Sequence, residues 1–290
     1  MIPNDFDWIF YVNHYSDLSK NGITTEKQAR EHYMQYGHKE HRPYRNVPCT
    51  TSTIVDGYTL DDVNINKDDE YPIIIVYFVY INPDKNWKDI LQGQIKDLLA
   101  TNILSTSKMF IVMTGEHTQK AQEMLQDLLV SFASQVYYSH STVNCFEYEG
   151  IKKLHDLGTS FPHKTFLYFH SKGMVFSKKP GRHPIEQFIT PNTLKHWKHV
   201  LHIFDTMPHI NKIGLCPSTG GWIWYNFFWI RGDFLKTYKP PIITNDRYYY
   251  EEWLGDDNHG KDCYSLLTNG ERTFTQKECI RLHLNHFKLS

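Results

Sequence analysis

The stretch "KTFLYFHSKGMV", residues 164–175, is an apolar run that stops at His170, Ser171, Lys172 and Gly173. A lysine, an imidazole and a hydroxyl in sequence, followed by a flexible glycine, form a set suited to an anion. The ammonium acts as a point charge on phosphate, while the ring and hydroxyl supply hydrogen bonds. A second group lies downstream in "RYYYEEWLG", where Glu251 and Glu252 are embedded among aromatic residues. Apolar surroundings raise a carboxylate's pKa toward the range in which it works as a general base. Between them, "GGWIWYNFFWIRGDF" concentrates aromatic residues around Asn226 and ends at Arg231-Gly232-Asp233. Strand-like alternation there puts Trp222, Trp224, Asn226 and Phe228 on one face, a surface on which ring CH groups can stack while Asn226 bonds a hydroxyl. Arg231 follows, to support phosphate or to pair with Asp233.

Other groups are weaker. Lys178, Lys179, Arg182 and His183 lie in "FSKKPGRHP", a loop rich enough in Gly and Pro to close over phosphates. Asp256 and Asp257, with His259 nearby and His283 and His286 further on, are of the right chemical type for a divalent cation such as Mn or Mg. A loop of Asp, Asn and Gly is more often simply a turn, and no metal is favoured.

The elements that must position these groups follow from periodicity. Residues 1–45 read as a small helical hairpin: an aromatic-faced helix ending near Asn21-Gly22, then a second one capped at Thr24 or Thr25 and stopped by Gly37. Residues 46–70 are polar and read as a linker carrying one short strand. From residue 71 to 290 apolar strands alternate with helices. "YPIIIVYFVYI", "KMFIVMTG", "SQVYYSHS" and "KTFLYFHS" are the strands, separated by "NWKDILQGQIKDLLAT", "HTQKAQEMLQDLLVSF" and "FEYEGIKKLHDLG". Continuous apolar strands of this kind belong to a mostly parallel, Rossmann-like α/β sheet covered by helices on both faces, with ligands bound beyond the carboxyl ends of the strands. Tyr80 and Asn82 at the first strand end, Thr114-Gly115-Glu116 at the next, and more weakly Glu147 and Glu149, are the candidates there for a nucleotide. The tail "KECIRLHLNHFKLS" shows no clear period.

The bulk numbers exclude several classes. The 31 basic and 32 acidic residues give a net charge of −1, so no global field recruits nucleic acid. Five cysteines without a CxxC pair argue against a disulfide framework and a structural zinc site. No signal peptide or transmembrane run is evident, and a cytoplasmic, reducing location is expected.

Taken in order, "IIIVYFVYIN…W…IL..Q", "FLYFHSKG", "WIWYNFFWIRGDFL" and "RYYYEEWLG" resemble a GT-A glycosyltransferase. More narrowly, they are similar to the bacterial and large-virus sugar transferases related to rhamnan-synthesis proteins, which carry an HxKG strand end. The resemblance spans about residues 71 to 255. It implies a GT-A fold and transfer of a sugar, hexosyl or pentosyl, from a nucleoside diphosphate donor, UDP favoured, to a glycan acceptor with inversion. It places Lys172 where most such enzymes hold a metal with an Asp-x-Asp pair, and it favours Glu251, two before Trp253, as the base over Glu252. Related segments carry a small residue where this chain has Tyr225, which narrows the acceptor pocket. The alternative is a non-catalytic glycan- or nucleotide-binding module of the same fold. A nucleotidyltransferase fits less well, because no glycine-rich phosphate loop follows the first strand.

Overall fold

The computed structural model describes residues 2–3, 5–40, 42, 44, 54–58, 70–141, 145–172, 181–244, 246–255 and 259–287, apart from the side chains at 14, 16, 54, 55, 247 and 282–287. The chain separates into two compact units: residues 1–50 with 244–246, and residues 51–243 with 247–290.

In the first unit Asp7 caps α1 (Trp8–His14) by accepting the Phe10 N–H. Tyr15 is extended, so the expected single helix is two, with α2 (Ser16–Lys20) stopping at Asn21 and a left-handed Gly22. Thr25 and Gln28 form a reciprocal capping box that starts α3 (Glu26–His32). A π-helical turn, Tyr33–Gly37, follows. Its glycine is a packing requirement, since a Cβ at Gly37 would lie 2.1 Å from the Tyr11 hydroxyl oxygen. Phe6, Tyr11, Tyr15, Leu18, Ala29 and Tyr33 make this unit's own core.

The second unit is built on one eight-stranded sheet. Its strands are β1 (Ile54–Asp56), β2 (Ile73–Ile81), β3 (Ser107–Gly115), β4 (Val136–Ser141), β5 (Thr165–His170), β6 (Lys212–Gly214), β7 (Phe228–Arg231) and β8 (Cys263–Ser265). The spatial order is β1-β4-β3-β2-β5-β7-β6-β8. The central β4, β3, β2 and β5 are parallel, while β1 and β7 run antiparallel to their neighbours β4 and β5. The helices are α4 (Trp87–Leu99), α5 (Thr118–Leu128), α6 (Tyr148–Ser160), α7 (Pro184–Leu194), α8 (Trp197–Thr206), α9 (Gly232–Thr237), α10 (Arg247–Glu251) and α11 (Gln276–Phe287).

Alternation along β2 divides the sheet's two cores. Ile73, Ile75, Tyr77, Val79 and Ile81 join the apolar stripe of α4 and residues of α5, α7 and α8. Val76 and Phe78 lie on the opposite face, where α6 packs; a Cβ at Gly150 would strike Phe78 at 2.5 Å. The chain leaves β2 toward β3 and β4, then returns to β5 on the other side. The carboxyl ends of β2 and β5 therefore flank a topological switch point, the usual ligand crevice of such sheets.

Two elements differ from the sequence reading. "GGWIWYNFFWIRGDF" is not one strand: Trp224–Asn226 form a tight helical turn, Tyr225 and Asn226 are left-handed, and only Phe228–Arg231 pair in the sheet. The tail from Gln276 is a helix whose Cys279 is buried. Cys145 is disulfide-bonded, against the expectation from cysteine spacing, while Cys216, Cys263 and Cys279 are buried thiols outside any disulfide. Among the described residues no helix is long and apolar enough to cross a membrane.

Candidate functional site

His170 is the last residue of β5, opposite Phe78 of β2. Its own carbonyl is held by the Gln94 side-chain amide from α4 at 2.9 Å, and Gln94 is fixed in turn by the Tyr77 hydroxyl at 2.6 Å. The ring Nε2 lies 3.0 Å from the Tyr225 carbonyl oxygen. A carbonyl can only accept, so Nε2 carries the proton. Burial, with Lys172 second, pushes the ring's pKa down to about 3, while the Tyr225 carbonyl and Glu251 act weakly the other way. His170 is therefore a neutral imidazole with a defined tautomer.

The turn before β7 explains how Tyr225 reaches it. Tyr225 (φ 73°) and Asn226 (φ 54°) are both left-handed, which reverses the chain within two residues. That reversal aims the Tyr225 carbonyl at His170. It also buries the Asn226 amide, whose Nδ2 donates to Glu147 Oε2 at 2.9 Å and to the Tyr250 carbonyl at 3.0 Å. The Tyr168 hydroxyl donates to the same Glu147 oxygen at 3.2 Å, while Oε1 faces His170 Nδ1 at 3.7 Å. Tyr168 and His170 share a strand face; Glu147 immediately precedes α6; Tyr250 belongs to α10. Four separate segments meet at one polar knot.

Lys172 lies at the same rim, with Nζ 4.9 Å from the Tyr225 ring centroid, a cation–π contact. The Tyr225 hydroxyl bonds Cys279, which also bonds Cys216, so the aromatic floor under Lys172 rests on a buried thiol pair. Glu251 ends α10, half-buried, and its charge is felt at both His170 and Tyr225. Glu252 is exposed. The two carboxylates are thus distinguished by burial: Glu251 is half-buried within electrostatic reach of His170 and Tyr225, and Glu252 is exposed.

Several expected site residues do other work. The Ser171 hydroxyl accepts from the Tyr80 N–H at 2.9 Å and donates to the Tyr80 carbonyl at 3.2 Å, extending the β2–β5 seam by one residue; it is spent on backbone. Arg231 pairs with Thr165, at the amino end of β5 and the opposite rim from His170. Its guanidinium binds the carbonyls of Ile210 and Met207 at 2.6 and 3.2 Å, and that of Phe204, closing the end of α8. A position at the far end of the sheet removes it from any diphosphate site beside Lys172. Trp224 donates from Nε1 to the Phe274 carbonyl at 3.0 Å, and Trp222 packs edge-on against it and over Gly220 and Gly255. The expected shared face of Trp222, Trp224 and Asn226 does not form, because the turn points Asn226 inward.

Tyr80 is half-buried on the core edge near Glu116, and Asn82 uses its carbonyl oxygen to close its own turn on the Asp84 N–H. Both stand at the carboxyl end of β2, where the Tyr80 backbone is bonded to Ser171. Thr114 is buried, and Gly115 is left-handed with no room for a Cβ, which would fall 2.2 Å from the Ile81 carbonyl oxygen. Arg182 is held between Asp97 and Glu186, each at 2.6 Å. Glu149 is buried, accepting from Ser141 at 3.3 Å. Gly173, Lys178, Lys179, Asp256 and Asp257, and the side chains of His283 and His286, lie outside the described residues. Among the described residues no three His, Cys, Asp or Glu side chains gather as a metal site.

Sequence reasoning underweighted Glu147 and missed Tyr168. Tyr168 stands two residues before His170 in β5, so the alternation that placed one on the α6 face also placed the other. Glu147 carries no comparable signal, since only the fold brings it beside the strand end.

No protein-family model and no curated protein sequence matches the chain. Among solved structures it is similar to a cytidylyltransferase from Leptospira borgpetersenii serovar Hardjo-bovis (strain JB197), with a TM-score of 0.43 and 9% identity over 70% of this chain and 78% of that one.

Proposed function

We propose that this chain is a glycosyltransferase that moves a sugar from a nucleoside diphosphate donor, UDP favoured, to a glycan acceptor with inversion. The observation that supports the reading is the seat of Lys172 over the Tyr225 ring beside neutral His170, at the carboxyl rim of the β2–β5 switch point and within electrostatic reach of Glu251. Departure of a diphosphate builds negative charge that needs a fixed positive partner, and a preorganised ammonium at a partly desolvated rim meets that need. Lys172 fills this role, held over Tyr225 rather than loose in solvent. The acceptor hydroxyl must lose a proton, and Glu251 is the carboxylate facing the same point. Tyr80 and Asn82, at the next strand end, are proposed to line the base and ribose. A divalent cation at Asp256, Asp257 and His283 stays a weaker proposal, and no step depends on it.

The test is turnover of a panel of UDP-, GDP- and dTDP-sugars, read as release of nucleoside diphosphate, alongside thermal shift with the free nucleotides. Lys172→Ala should abolish release while leaving the melting temperature of the unliganded protein unchanged, and Glu251→Gln should slow transfer more than donor hydrolysis. Full turnover in Lys172→Ala defeats the assignment of the cation. Stabilisation by a nucleotide without turnover of any sugar donor would instead identify the non-catalytic binding module.

A further inference from the structure

The buried stripe of α4 is apolar except at one position. Trp87, Ile90, Leu91, Ile95 and Leu98 are buried along it, and so is Gln94, which has no exposed surface. An amide in a core destabilises the fold unless its donors and acceptor are bonded, and an aliphatic side chain in the same place would need no partner. Gln94 is bonded at both ends. Its Oε1 accepts from the buried Tyr77 hydroxyl at 2.6 Å, and its Nε2 donates to the His170 carbonyl at 2.9 Å and to Thr190 Oγ1 at 3.3 Å.

The His170 carbonyl marks the end of β5. It receives a second donor, the Lys172 backbone N–H at 2.7 Å, so residues 170–172 close a three-residue turn. The two lone pairs of one oxygen are thereby shared between α4 and the residue that carries the ammonium. Gln94 is anchored in turn from behind. Thr190 Oγ1, which accepts from it, donates to Glu186 Oε1 at 2.7 Å, and Glu186 is paired with Arg182. A chain of hydrogen bonds thus runs from Arg182 through Glu186, Thr190 and Gln94 to the His170 carbonyl and the Lys172 N–H. A glutamine serving only to join α4 to α7 would stop at Thr190; this one reaches the rim.

We propose that Gln94 is a positioning residue for Lys172, acting through the His170 carbonyl to fix the backbone from which the ammonium reaches an anionic ligand. The bonds that fix the backbone stand without any assignment of activity; that the ligand is the diphosphate of a nucleotide sugar rests on the proposed function. Gln94, wholly buried, acts only through the strand end above it.

The test has two arms on the full chain, and the first needs no ligand. Gln94→Met keeps the length and packing of the side chain but has no amide. In the first arm, ¹⁵N relaxation gives the amide order parameter of Lys172, with Ile75 in the central β2 as reference. The Lys172 value should fall in the variant from about 0.85, the rigid range, toward about 0.6, while Ile75 is unchanged. A Lys172 amide as ordered as in the wild type overturns the proposal. So does an equal fall at Ile75, which would mark a role in core stability alone.

In the second arm, calorimetry follows the tightest-binding of UDP, GDP and dTDP on wild type, Gln94→Met, Lys172→Ala and the double variant. Gln94→Met should weaken the nucleotide about tenfold, the scale of one misplaced bond to a charged group. It should add nothing to the loss already present in Lys172→Ala, because the two residues act as one. Additive losses, or an affinity unchanged by Gln94→Met, overturn the proposal. Should none of the three nucleotides bind the wild type, the transferase reading falls and the first arm alone decides the positioning. Should Gln94→Met fail to fold, Gln94→Asn draws the amide back by one methylene and takes its place in both arms with the same expectations.

Discussion

The depressed pKa of His170 makes folding stability depend on pH in a calculable way. The folded ring takes a proton only near pH 3, whereas an unfolded histidine takes one near pH 6.5. Above the unfolded value neither state is protonated and the ring contributes no pH dependence. As pH falls from about 6.5 toward 3, only the unfolded state gains the proton, so the fold loses stability by about 1.4 kcal/mol per pH unit. From pH 7.5 to pH 4.5 the loss attributable to this ring is roughly 2.5 to 3 kcal/mol. His170→Gln keeps a donor toward Tyr225 but cannot titrate. Urea unfolding of both proteins, followed by the fluorescence of the tryptophans, should give curves whose difference changes by that amount between the two pH values. The comparison cancels the carboxylates and the other histidines, which titrate in both proteins. Lys172→Met removes the second cause of the depression, so its acid loss should be smaller than that of the wild type. Stability–pH profiles of wild type and His170→Gln that run parallel within about 0.5 kcal/mol would show that the ring is solvated or charged, and the tautomer argument would fall with it.

Three further outcomes follow from the same geometry. Asn226→Asp sets a carboxylate against Glu147 where an amide now donates at 2.9 Å, and should destabilise the protein by about 2–4 kcal/mol at pH 7, with partial recovery near pH 4, in urea melts. Arg182→Met strands the fully buried Glu186 carboxylate and should cost about 3–5 kcal/mol, while adding Glu186→Met should return much of it; a loss no greater than that of an exposed arginine would place the pair in solvent. Ser171→Ala removes two hydrogen bonds to the Tyr80 backbone and should cost about 1–3 kcal/mol, with faster amide exchange at Tyr80, whereas altered nucleotide affinity without that exchange signature would return Ser171 to the ligand.

The fold was legible where one physical signal dominates. β2 is a nine-residue run buried almost throughout, and α4 shows a helical stripe from Trp87 to Leu98, so period and length agreed with the environment. The strand end at His170 was legible for the same reason. What failed was direction. Alternation across Trp222–Phe228 presumed an extended backbone, and nothing in the local sequence announces that a tyrosine will adopt a positive φ. Arg231 reads from sequence as a cation for the diphosphate or a partner for Asp233, but β7 runs antiparallel to β5 and carries its final residue to the far rim. Ser171 looked like a ligand because its neighbours do; only pairing with Tyr80 reveals that a hydroxyl can act as one more rung of the sheet.

The left-handed pair at Tyr225 and Asn226 connects these observations. A left-handed backbone costs an L-residue about 1–2 kcal/mol, less for asparagine than for tyrosine. Glycine would remove that cost at either position, yet neither is glycine. At 226 the reason is the amide, which has partners on both sides. At 225 the backbone carbonyl that sets the His170 tautomer would survive a glycine, but the ring beneath Lys172 and the hydroxyl against Cys279 would not. The strain therefore holds three things in one turn: a ring that seats the cation, a carbonyl that fixes which imidazole nitrogen is bare, and an amide that orients the facing carboxylate. Sheet packing alone requires none of these, since β7 begins two residues later and pairs in register with Tyr168 regardless. The strain is offset by the contacts it makes possible, and under the proposed function the same turn would orient the groups that meet a ligand.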